Sequence, residues 1–496
     1  MRIATLGKVA FGSLVSVVAA CGGGGHGGYG SSMMPAPSVS FSQPAAAATV
    51  NLGQAVTVAW TSAYATTCTA TASSAAAGAF TGSQMPSGTQ MVVPTAAGSY
   101  TYSLSCTGSG GTQSGSATVT VTPNLLNALA PSGAIPQVGL TVPSNGDQNP
   151  YGLVVAPATA GLITKGDLIV CNFNNATNNA TTPPSGNVQG AGTTIIGLHP
   201  GTGSTPYLIA QSADLQGCNA LTMLPDDSIS SAAWTSNLNP LVSASGAVGT
   251  AFSSDTFAQP WGEAYVAAAG TQPAAIYVSN APGGAMNAGG TIDRISLDID
   301  AQSAFTEIVT GICSGGVAGA VFGPAGLTYD PASDTLYIVA TSSNSVIAIA
   351  GVSTIPADGV VVTGQCSASA TLPTPVPTFS GPSMASARVI AQGAPLSTPL
   401  SAALLKNGDL VVGNADIGAA GASATTNLLI EVSPVVPGGF VGTPLQIDAT
   451  TPGAIFGIAA TVDAQGQQII YFNNDNNNAV MQLGPVMTTG GTPNPY

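Results

Sequence analysis

Apolar and polar residues alternate one by one in three short runs near the start of the chain. The runs cover residues 55–60, 99–106 and 116–121, and stretches rich in Gly and Ser separate them. A repeat of two residues is typical of a β-strand with one buried face. These runs predict a small all-β sandwich over residues 39–122.

A longer pattern recurs six times between residues 134 and 484. Each copy has two apolar strands joined by a turn that contains Asp or Asn with Gly, and an Asn-rich turn then leads to another apolar strand. The second strands fall near residues 168, 229, 276, 336, 410 and 469, at a spacing of about 60 residues. Repeats of this length, with four short strands each, are typical of propeller blades. The spacing predicts a six-bladed β-propeller over residues 134–484.

Three segments lack both patterns. Residues 21–38 are rich in Gly, Ser and Pro and are expected to form a flexible tether. Residues 123–133 are expected to be a linker, and residues 485–496 a disordered tail. The predicted fold class is all-β, with an N-terminal sandwich followed by a six-bladed propeller.

Both domains resemble known families. The first is similar to bacterial immunoglobulin-like modules, which implies an Ig-like β-sandwich. Because Trp60 precedes both cysteines of this domain, the disulfide is expected to join different strands from those joined in antibody domains. The repeat region, about 70% of the chain, is similar to propellers of the NHL and gluconolactonase-like type. The first resemblance rests on Trp60, Ser62, Cys68, Gly98, Tyr100, Tyr102, Leu104, Cys106, Val119 and Val121.

The N-terminus resembles a bacterial lipoprotein signal. Arg2 and Lys8 give a basic start, residues 9–20 are apolar, and Ala19 and Ala20 precede Cys21. The apolar stretch is shorter than the roughly 20 residues of a membrane-spanning helix. The resemblance implies that residues 1–20 are a signal peptide and that Cys21 is acylated and anchors the chain. Gly22 follows the cysteine, which implies an outer-membrane lipoprotein or a cell-surface location.

The six other cysteines suit an oxidising compartment, and none has the spacing of a zinc or redox motif. Order along the chain predicts three disulfides, although the four ring cysteines allow three connectivities. Each ring pair spans about one repeat and is expected to tie a blade to its neighbour. The predicted pairs are Cys68 with Cys106, Cys171 with Cys218, and Cys313 with Cys366.

Charged residues are only 5% of the chain, against a typical ~25%. The net charge of −14 becomes −16 once Arg2 and Lys8 leave with the signal. Such a chain lacks the basic surface that nucleic acids and anionic lipids need, so no nucleic-acid partner is expected. Since few acids can form ion pairs, stability is expected to depend weakly on pH between about 3 and 7 and to gain slightly in acid.

Histidine is nearly absent. His26 lies in the tether, and His199 lies in a turn between Leu198 and Pro200. One histidine in the repeat region gives no support for a multi-histidine metal site or a Ser-His-Asp triad. We therefore predict no catalytic residue.

The gluconolactonase-like resemblance implies one candidate metal site. Propellers of that type hold a divalent cation with Glu, Asp and Asn oxygens at the channel mouth, and such ligands suit calcium. Glu263 after Pro260-Trp261-Gly262 is the candidate carboxylate, although the Glu-Gly-Pro-x-Trp opening of that family is absent. The candidate asparagines have a structural explanation as well, as turn residues with positive φ. They are Asn172, Asn280, Asn414 and Asn473.

These observations favour a surface-anchored cell-envelope lipoprotein whose propeller is a non-catalytic binding module or scaffold on an Ig-like stalk. The expected partners are the membrane, through the lipid anchor, and a glycan or an envelope protein. No cofactor is expected in this case. The alternative is a metal-dependent, lactonase-like hydrolase of the gluconolactonase type, which would need calcium.

Overall fold

The computed structural model describes residues 34–45, 48–52, 54–175, 188–253, 257–297, 304–317, 320–364, 366, 376–419 and 421–485. The predicted signal peptide, Cys21 and His26 lie outside these residues, as do residues 486–496. None of the helices in the described ranges has the length and apolar character needed to span a bilayer.

Eight strands between residues 38 and 122 form two sheets around one core. The first sheet has the order β1-β3-β6, and the second has the order β2-β8-β7-β4-β5. Apolar residues of both sheets meet in that core, where Trp60 and Tyr102 pack edge-on against Phe80. The strands are β1 (Ser38–Gln43), β2 (Ala48–Asn51), β3 (Val56–Ala63), β4 (Thr67–Ala72), β5 (Gly82–Gln84), β6 (Ser87–Val92), β7 (Gly98–Gly108) and β8 (Gly111–Thr122).

The alternating runs lie in β3, β7 and β8, and burial follows the pattern. In β3, Val56, Val58 and Trp60 are buried and Thr57 is exposed. Cys68 on β4 and Cys106 on β7 stand directly opposite each other and form a disulfide within one sheet.

The rest of the described chain is a β-propeller. A helix, α1 (Leu125–Leu129), and a strand, β9 (Gln137–Leu140), precede six sheets, which we call blades 1 to 6. Blades 1 to 3 contain β10 (Gln148–Val155), β11 (Leu168–Asn174), β12 (Thr194–Leu198), β13 (Tyr207–Gln211), β14 (Cys218–Met223), β15 (Ile229–Ala233), β16 (Asn239–Val242), β17 (Val248–Phe252), β18 (Pro260–Val266), β19 (Ala274–Asn280), β20 (Gly284–Leu297) and β21 (Ala304–Val317), four strands to each blade.

Blades 4 to 6 follow the same order, with one insertion. Blade 4 pairs β23-β24-β25-β28, blade 5 pairs β29-β30-β31-β32, and blade 6 pairs β33-β34-β35-β9. These strands, with three additional ones, are β22 (Ala320–Phe322), β23 (Pro324–Asp330), β24 (Thr335–Ala340), β25 (Ser345–Ala350), β26 (Val360–Thr363), β27 (Thr378–Ser380), β28 (Ala387–Gln392), β29 (Pro399–Leu404), β30 (Leu410–Asn414), β31 (Leu428–Val432), β32 (Phe440–Gln446), β33 (Ile455–Val462), β34 (Gln468–Asn474) and β35 (Ala479–Leu483). One-turn 3-10 helices in the described ranges are Ala75–Ala77, Ala213–Leu215, Thr341–Ser343, Val352–Thr354, Met384–Ser386 and Asp475–Asn477.

The ring is closed by a strand that precedes blade 1 in the chain but belongs to blade 6. The inner strands β10, β14, β18, β23, β29 and β33 pack against one another in sequence, and β33 packs against β10. The outer strand of blade 6 is β9, which comes before blade 1 in the chain. The six second strands predicted from the spacing are β11, β15, β19, β24, β30 and β34, one in each blade.

We call the end of the ring where the inner strands begin the upper face and the opposite end the lower face. The second strands run from the lower to the upper face, so the turns after them lie on the upper face.

Two disulfides brace the ring, with the predicted pairing. Cys171 on β11 and Cys218 on β14 join blades 1 and 2. Cys313 on β21 pairs with Cys366, in the insertion between β25 and β28 of blade 4. In the insertion, β26 pairs with β21 and β27 pairs with β26, so this segment extends blade 3.

A recurrent asparagine contact links neighbouring blades at the upper face. In four blades, an asparagine with φ between 46° and 58° lies one or two residues before the third strand. Its Oδ1 accepts a backbone N–H near the start of the next inner strand, at 2.6 to 2.9 Å. The last contact joins blade 6 to blade 1 and so supports ring closure. These residues are Asn237, Asn344, Asn427 and Asn478.

Candidate functional site in the central channel

The inner strands share a four-residue motif that lines the central channel. Its second position is mostly aromatic or apolar, its third is small, and a break in strand register accompanies it in every blade. The six copies are Pro150-Tyr151-Gly152-Leu153, Cys218-Asn219-Ala220-Leu221, Pro260-Trp261-Gly262-Glu263, Pro324-Ala325-Gly326-Leu327, Pro399-Leu400-Ser401-Ala402 and Ile455-Phe456-Gly457-Ile458.

The third position is small because adjacent inner strands approach closely. A Cβ atom added at Gly262 would lie 2.1 Å from the carbonyl oxygen of Ala325 in the next blade. At Gly457 the added atom would lie 2.2 Å from the carbonyl oxygen of Tyr151. Real Cβ atoms do not approach so closely, so these glycines allow the channel to be narrow.

Aromatic rings fill the upper part of the channel. Tyr151 stacks between Phe173 and Phe456, with centroid distances of 4.3 and 3.8 Å, and Trp261 lies 6.5 Å from Tyr151. Tyr151, Phe173 and Trp261 are buried. This end of the channel is therefore closed by packed side chains.

Glu263 occupies the fourth position, which is apolar in the other five blades. Its side chain turns toward blade 2, where Ser230 Oγ donates to Oε1 at 3.1 Å and Asn239 Nδ2 donates to Ser230 Oγ at 2.8 Å. Glu263 is 6% exposed, and Ser230 and Asn239 are fully buried.

Burial raises the pKa of Glu263 to about 8, although hydrogen bonds from Asn239 and Ser230 oppose this rise. No ion pair with Glu263 exists among the described residues. Glu263 therefore keeps its proton at neutral pH.

A cavity of about 70 Å³ lies among the inner strands. Asn219, Glu263 and Ser401 line it, and each has a buried side-chain atom without a hydrogen-bond partner in the described part of the chain. These atoms are both amide atoms of Asn219, Oε2 of Glu263 and Oγ of Ser401. A polar cavity of this size accommodates a small number of waters.

The structure does not bring the four candidate asparagines to Glu263. They are fully buried near the ends of the second strands and bind backbone groups instead. Asn172 Nδ2 donates to Thr141 O at 3.0 Å, and Asn473 Nδ2 donates to Tyr151 O at 3.1 Å. The other contacts are Ala258 N–H to Asn280 Oδ1 at 3.3 Å and Ser397 N–H to Asn414 Oδ1 at 3.0 Å.

The explanation of these four asparagines by positive φ is wrong. They are strand residues with ordinary backbone angles. Of the five left-handed asparagines among the described residues, four are those that contact the next blade. The polar cavity residues Asn219 and Ser401 were missed by the sequence analysis. Aligning the six inner strands would have found them, because each is a polar residue at a motif position that is otherwise aromatic, apolar or small.

His199 lies on the lower face, away from the channel motif. Its Nδ1 is 2.7 Å from Oδ1 of the buried Asp167, and the Tyr207 hydroxyl donates to Oδ2 of the same carboxylate at 2.6 Å. No hydrogen bond from a described Ser, Thr or Cys side chain reaches His199. Within the described ranges, no three residues among His, Cys, Asp and Glu cluster closely enough to hold a metal ion.

Comparison with protein-family models and with curated protein sequences finds no match. Among solved structures, a catalytically inactive virginiamycin B lyase from Staphylococcus aureus with quinupristin is similar at 14% identity and a TM-score of 0.38, over 72% of this chain and 87% of that chain. Regucalcin, a calcium-binding protein from Agrobacterium tumefaciens strain C58, is similar at 12% identity and a TM-score of 0.40, over 74% of this chain and 98% of that chain. A luciferin-regenerating enzyme is similar at 9% identity and a TM-score of 0.41, over 70% of this chain and 94% of that chain. Such values transfer neither a family nor an activity to this chain.

Proposed function

We propose that this protein is a lipid-anchored component of the cell envelope that acts by binding another molecule. In this proposal Cys21 carries the acyl chains, and residues 22–37 form the tether, one residue shorter than predicted because Ser38 begins β1. An immunoglobulin-like sandwich then serves as the stalk of the propeller. More than one acyl chain is needed for stable anchoring, because a single chain binds membranes only marginally.

The observation that carries this proposal is the place where the stalk meets the ring. Gln54 Nε2 in the sandwich donates to Asn407 O, in the lower-face turn of blade 5, at 3.1 Å. The backbone N–H groups of Leu125 and Leu126 in α1 donate to the Glu431 carboxylate at 3.2 and 2.6 Å. Glu431 lies in the lower half of blade 5. The sandwich side of the chain thus joins the lower face. In this proposal the upper face is therefore directed away from the anchor.

The connection to the ring is an ordered contact. Leu126 is fully buried in the apolar core that blades 5 and 6 share. Asn124 Nδ2 donates to Val441 O at 3.2 Å, and Asn127 Nδ2 donates to Thr443 O at 2.7 Å. A linker held in this way keeps the ring in a defined orientation on its stalk, as a display function requires.

The charges favour a partner with a basic surface at the upper face. Among described residues, the turns of that face carry acids and no Lys or Arg: Asp214 is exposed and Asp448 is half-buried. Asp475 lies there too, but burial raises its pKa to about 8, so it adds no charge at neutral pH. The four basic residues of the ring lie in its lower half or its lower-face turns. Complementary charge gives specificity and speeds association. Of the expected partners, an envelope protein with a basic patch fits best.

The calcium-dependent hydrolase implied by the gluconolactonase-like resemblance has less support. Calcium takes six to eight oxygen ligands, usually including several carboxylates. The channel cavity offers one carboxyl group, that of Glu263, with the side chains of Asn219 and Ser401 beside it. These donors do not fit a calcium ion. The cavity of about 70 Å³ is also well below the ~300 Å³ of small-molecule sites.

Replacing the proposed lipid-bearing residue is expected to release the protein from membranes. The Cys21→Ser chain lacks the thiol that acylation needs, so cell fractionation should find it outside the membrane pellet, while wild type remains in the pellet. Gly22→Asp is the matched variant, because it keeps Cys21 and alters only the residue implied to direct sorting. It should stay in membranes and move from the outer to the inner membrane. A wild-type chain recovered fully soluble would refute the anchoring proposal.

A further inference from the structure

A cleft of about 200 Å³ opens on the lower face between blades 3 and 4. The lower ends of β18, β19 and β20 form one wall, and the turn between β23 and β24 forms another. The third wall is the start of the insertion of blade 4, at Ser353. The space far exceeds the ~30 Å³ share of one water and is smaller than a drug-sized pocket. It therefore suits a molecule of only a few heavy atoms.

Arg294 brings an unpaired positive charge to this cleft. The side chain is half-buried, and its Nη1 donates to the carbonyl oxygens of Ser353 and Ile355, both at 3.0 Å. The one ion pair within 4.0 Å among the described residues is between His199 and Asp167, so no described carboxylate neutralises Arg294. This is unusual in a chain with 20 acids, because a half-buried cation gains from an anionic partner. The planar guanidinium group suits a carboxylate.

Asp334 brings a negative charge to the same cleft. The Tyr329 hydroxyl donates to its Oδ1 at 3.1 Å, and Ser353 Oγ donates to its Oδ2 at 2.7 Å. The backbone N–H of Ser353 is shared between both oxygens, at 3.4 Å from each. A carboxylate has about four acceptor sites, so with these three donors Asp334 can accept one further hydrogen bond. Asp334 and Arg294 are more than 4.0 Å apart and form no ion pair with each other.

Both charges lie close enough to one buried tyrosine to affect its pKa. Burial raises the pKa of Tyr277 to about 12; Arg294 acts to lower it and Asp334 to raise it. The Tyr277 hydroxyl donates to Val352 O at 3.3 Å, in the insertion. Opposite charges thus face one small cleft without neutralising each other.

We propose that this cleft binds a free α-amino acid, with its carboxylate on Arg294 and its ammonium group on Asp334. The apolar part of the ligand lies against Val266, Ala275 and Tyr329, which line the same cleft. The site is separate from the upper face proposed for a protein partner, so either proposal stands if the other fails.

The insertion that completes the cleft is held in place before any ligand arrives. Its strand β26 pairs with β21 of blade 3, and Cys366 is disulfide-bonded to Cys313. Arg294 and Tyr277 both donate to its first turn, at Val352, Ser353 and Ile355. A preorganised wall lowers the entropic cost of binding.

The test screens the full protein by thermal shift with the twenty common L-amino acids and then titrates the best binder by calorimetry. We expect this amino acid to bind saturably. Two analogues of it carry one charge each: an amine that lacks the carboxylate and an acid that lacks the ammonium group. Both should bind at least tenfold more weakly. Arg294→Gln should weaken the binding of the amino acid and of the acid analogue at least tenfold. Asp334→Asn should reduce the affinity for the amino acid to that for its acid analogue. It should leave the affinity for the acid analogue unchanged.

Two controls separate binding from folding. Arg388→Gln alters another lower-half arginine, which donates to Pro434 O outside the cleft, and should bind as wild type does. Arg294→Lys keeps the charge without the guanidinium fork and should bind with intermediate affinity. If Arg294→Gln melts far below wild type, the comparison of Asp334→Asn with wild type decides the question. The proposal is overturned if no amino acid binds saturably, or if a folded Arg294→Gln or Asp334→Asn binds the amino acid as tightly as wild type.

Discussion

The free energy of unfolding is expected to fall by several kcal/mol between about pH 5.5 and pH 8.5, and Glu263→Gln should remove a few kcal/mol of that fall. Burial raises the pKa of Glu263 from 4.5 to about 8. Between these two values the folded chain holds a proton that the unfolded chain has released. The stabilisation is complete below the unfolded pKa and is lost as pH rises through the folded pKa.

The magnitude follows from the size of the rise in pKa. One pKa unit corresponds to about 1.4 kcal/mol, so the Glu263 carboxyl alone accounts for a few kcal/mol over this range. Burial also raises the pKa of Glu431 to about 7, with the nearby Asp409 carboxyl adding to the rise, and it raises the pKa of Asp475 to about 8. A comparable part of the fall should therefore remain in Glu263→Gln. The Gln side chain copies the shape of the protonated acid and has no proton to lose.

Denaturant unfolding at the two pH values measures both effects. Asp214→Asn is the matched control, because it removes an exposed carboxyl of the upper face and should leave the wild-type pH profile unchanged. At the higher pH, Glu263→Gln should be the most stable of the three proteins. Equal pH profiles for wild type and Glu263→Gln would show that Glu263 is ionised in the folded ring and that its proposed environment is wrong.

Deleting the closing strand is expected to abolish folding of the ring. A chain that starts at residue 142 lacks β9, whose Val138 is 1% exposed in the core of blades 1 and 6. It also lacks Thr141, whose backbone N–H donates to Asn478 O at 2.8 Å. The outer edge of β35 would then be unpaired and exposed, a state that favours aggregation.

The matched control is a chain that starts at residue 134, which keeps β9 and, like the chain from residue 142, lacks the sandwich and α1. It should unfold in one cooperative transition when heated, whereas the chain from residue 142 should show none by circular dichroism or calorimetry. A cooperative transition in the shorter chain, at the temperature of the longer one, would mean that β9 is dispensable and that the ring closes with only three strands in blade 6.

Much of the fold follows from the sequence because strand periodicity and repeat spacing are local signals. The alternation in residues 55–60 predicted the buried face of β3, and the spacing of second strands predicted the six blades. The closing role of β9 could not be predicted, because Gln137–Leu140 is one of many short apolar segments. Its position depends on the geometry at the end of the ring, a contact between distant parts of the chain.

The candidate site was predicted only in part, for a similar reason. Glu263 was singled out as an acid after Pro260-Trp261-Gly262, but its partners Ser230 and Asn239 belong to blade 2 and approach only when blades pack. The expectation of weak pH dependence overlooked burial. Counting acids shows how few can be paired with bases. Only the packed structure shows that Glu263 is buried, at a motif position that is apolar in the other five blades. The sequence predicted a slight gain of stability in acid. The structure implies a gain as well, but a larger one.

Photo-crosslinking in cells tests the central claim most directly, namely that an anchored ring binds a partner through its upper face. A photoreactive amino acid is placed at the exposed positions Asp214 and Asn477 of the upper face, or at Pro225 in a lower-face turn. We predict a discrete crosslinked product in the membrane fraction from both upper-face positions, none from Pro225, and loss of the product in Cys21→Ser. Crosslinks from Pro225 alone, or none from the upper-face positions, would contradict the account.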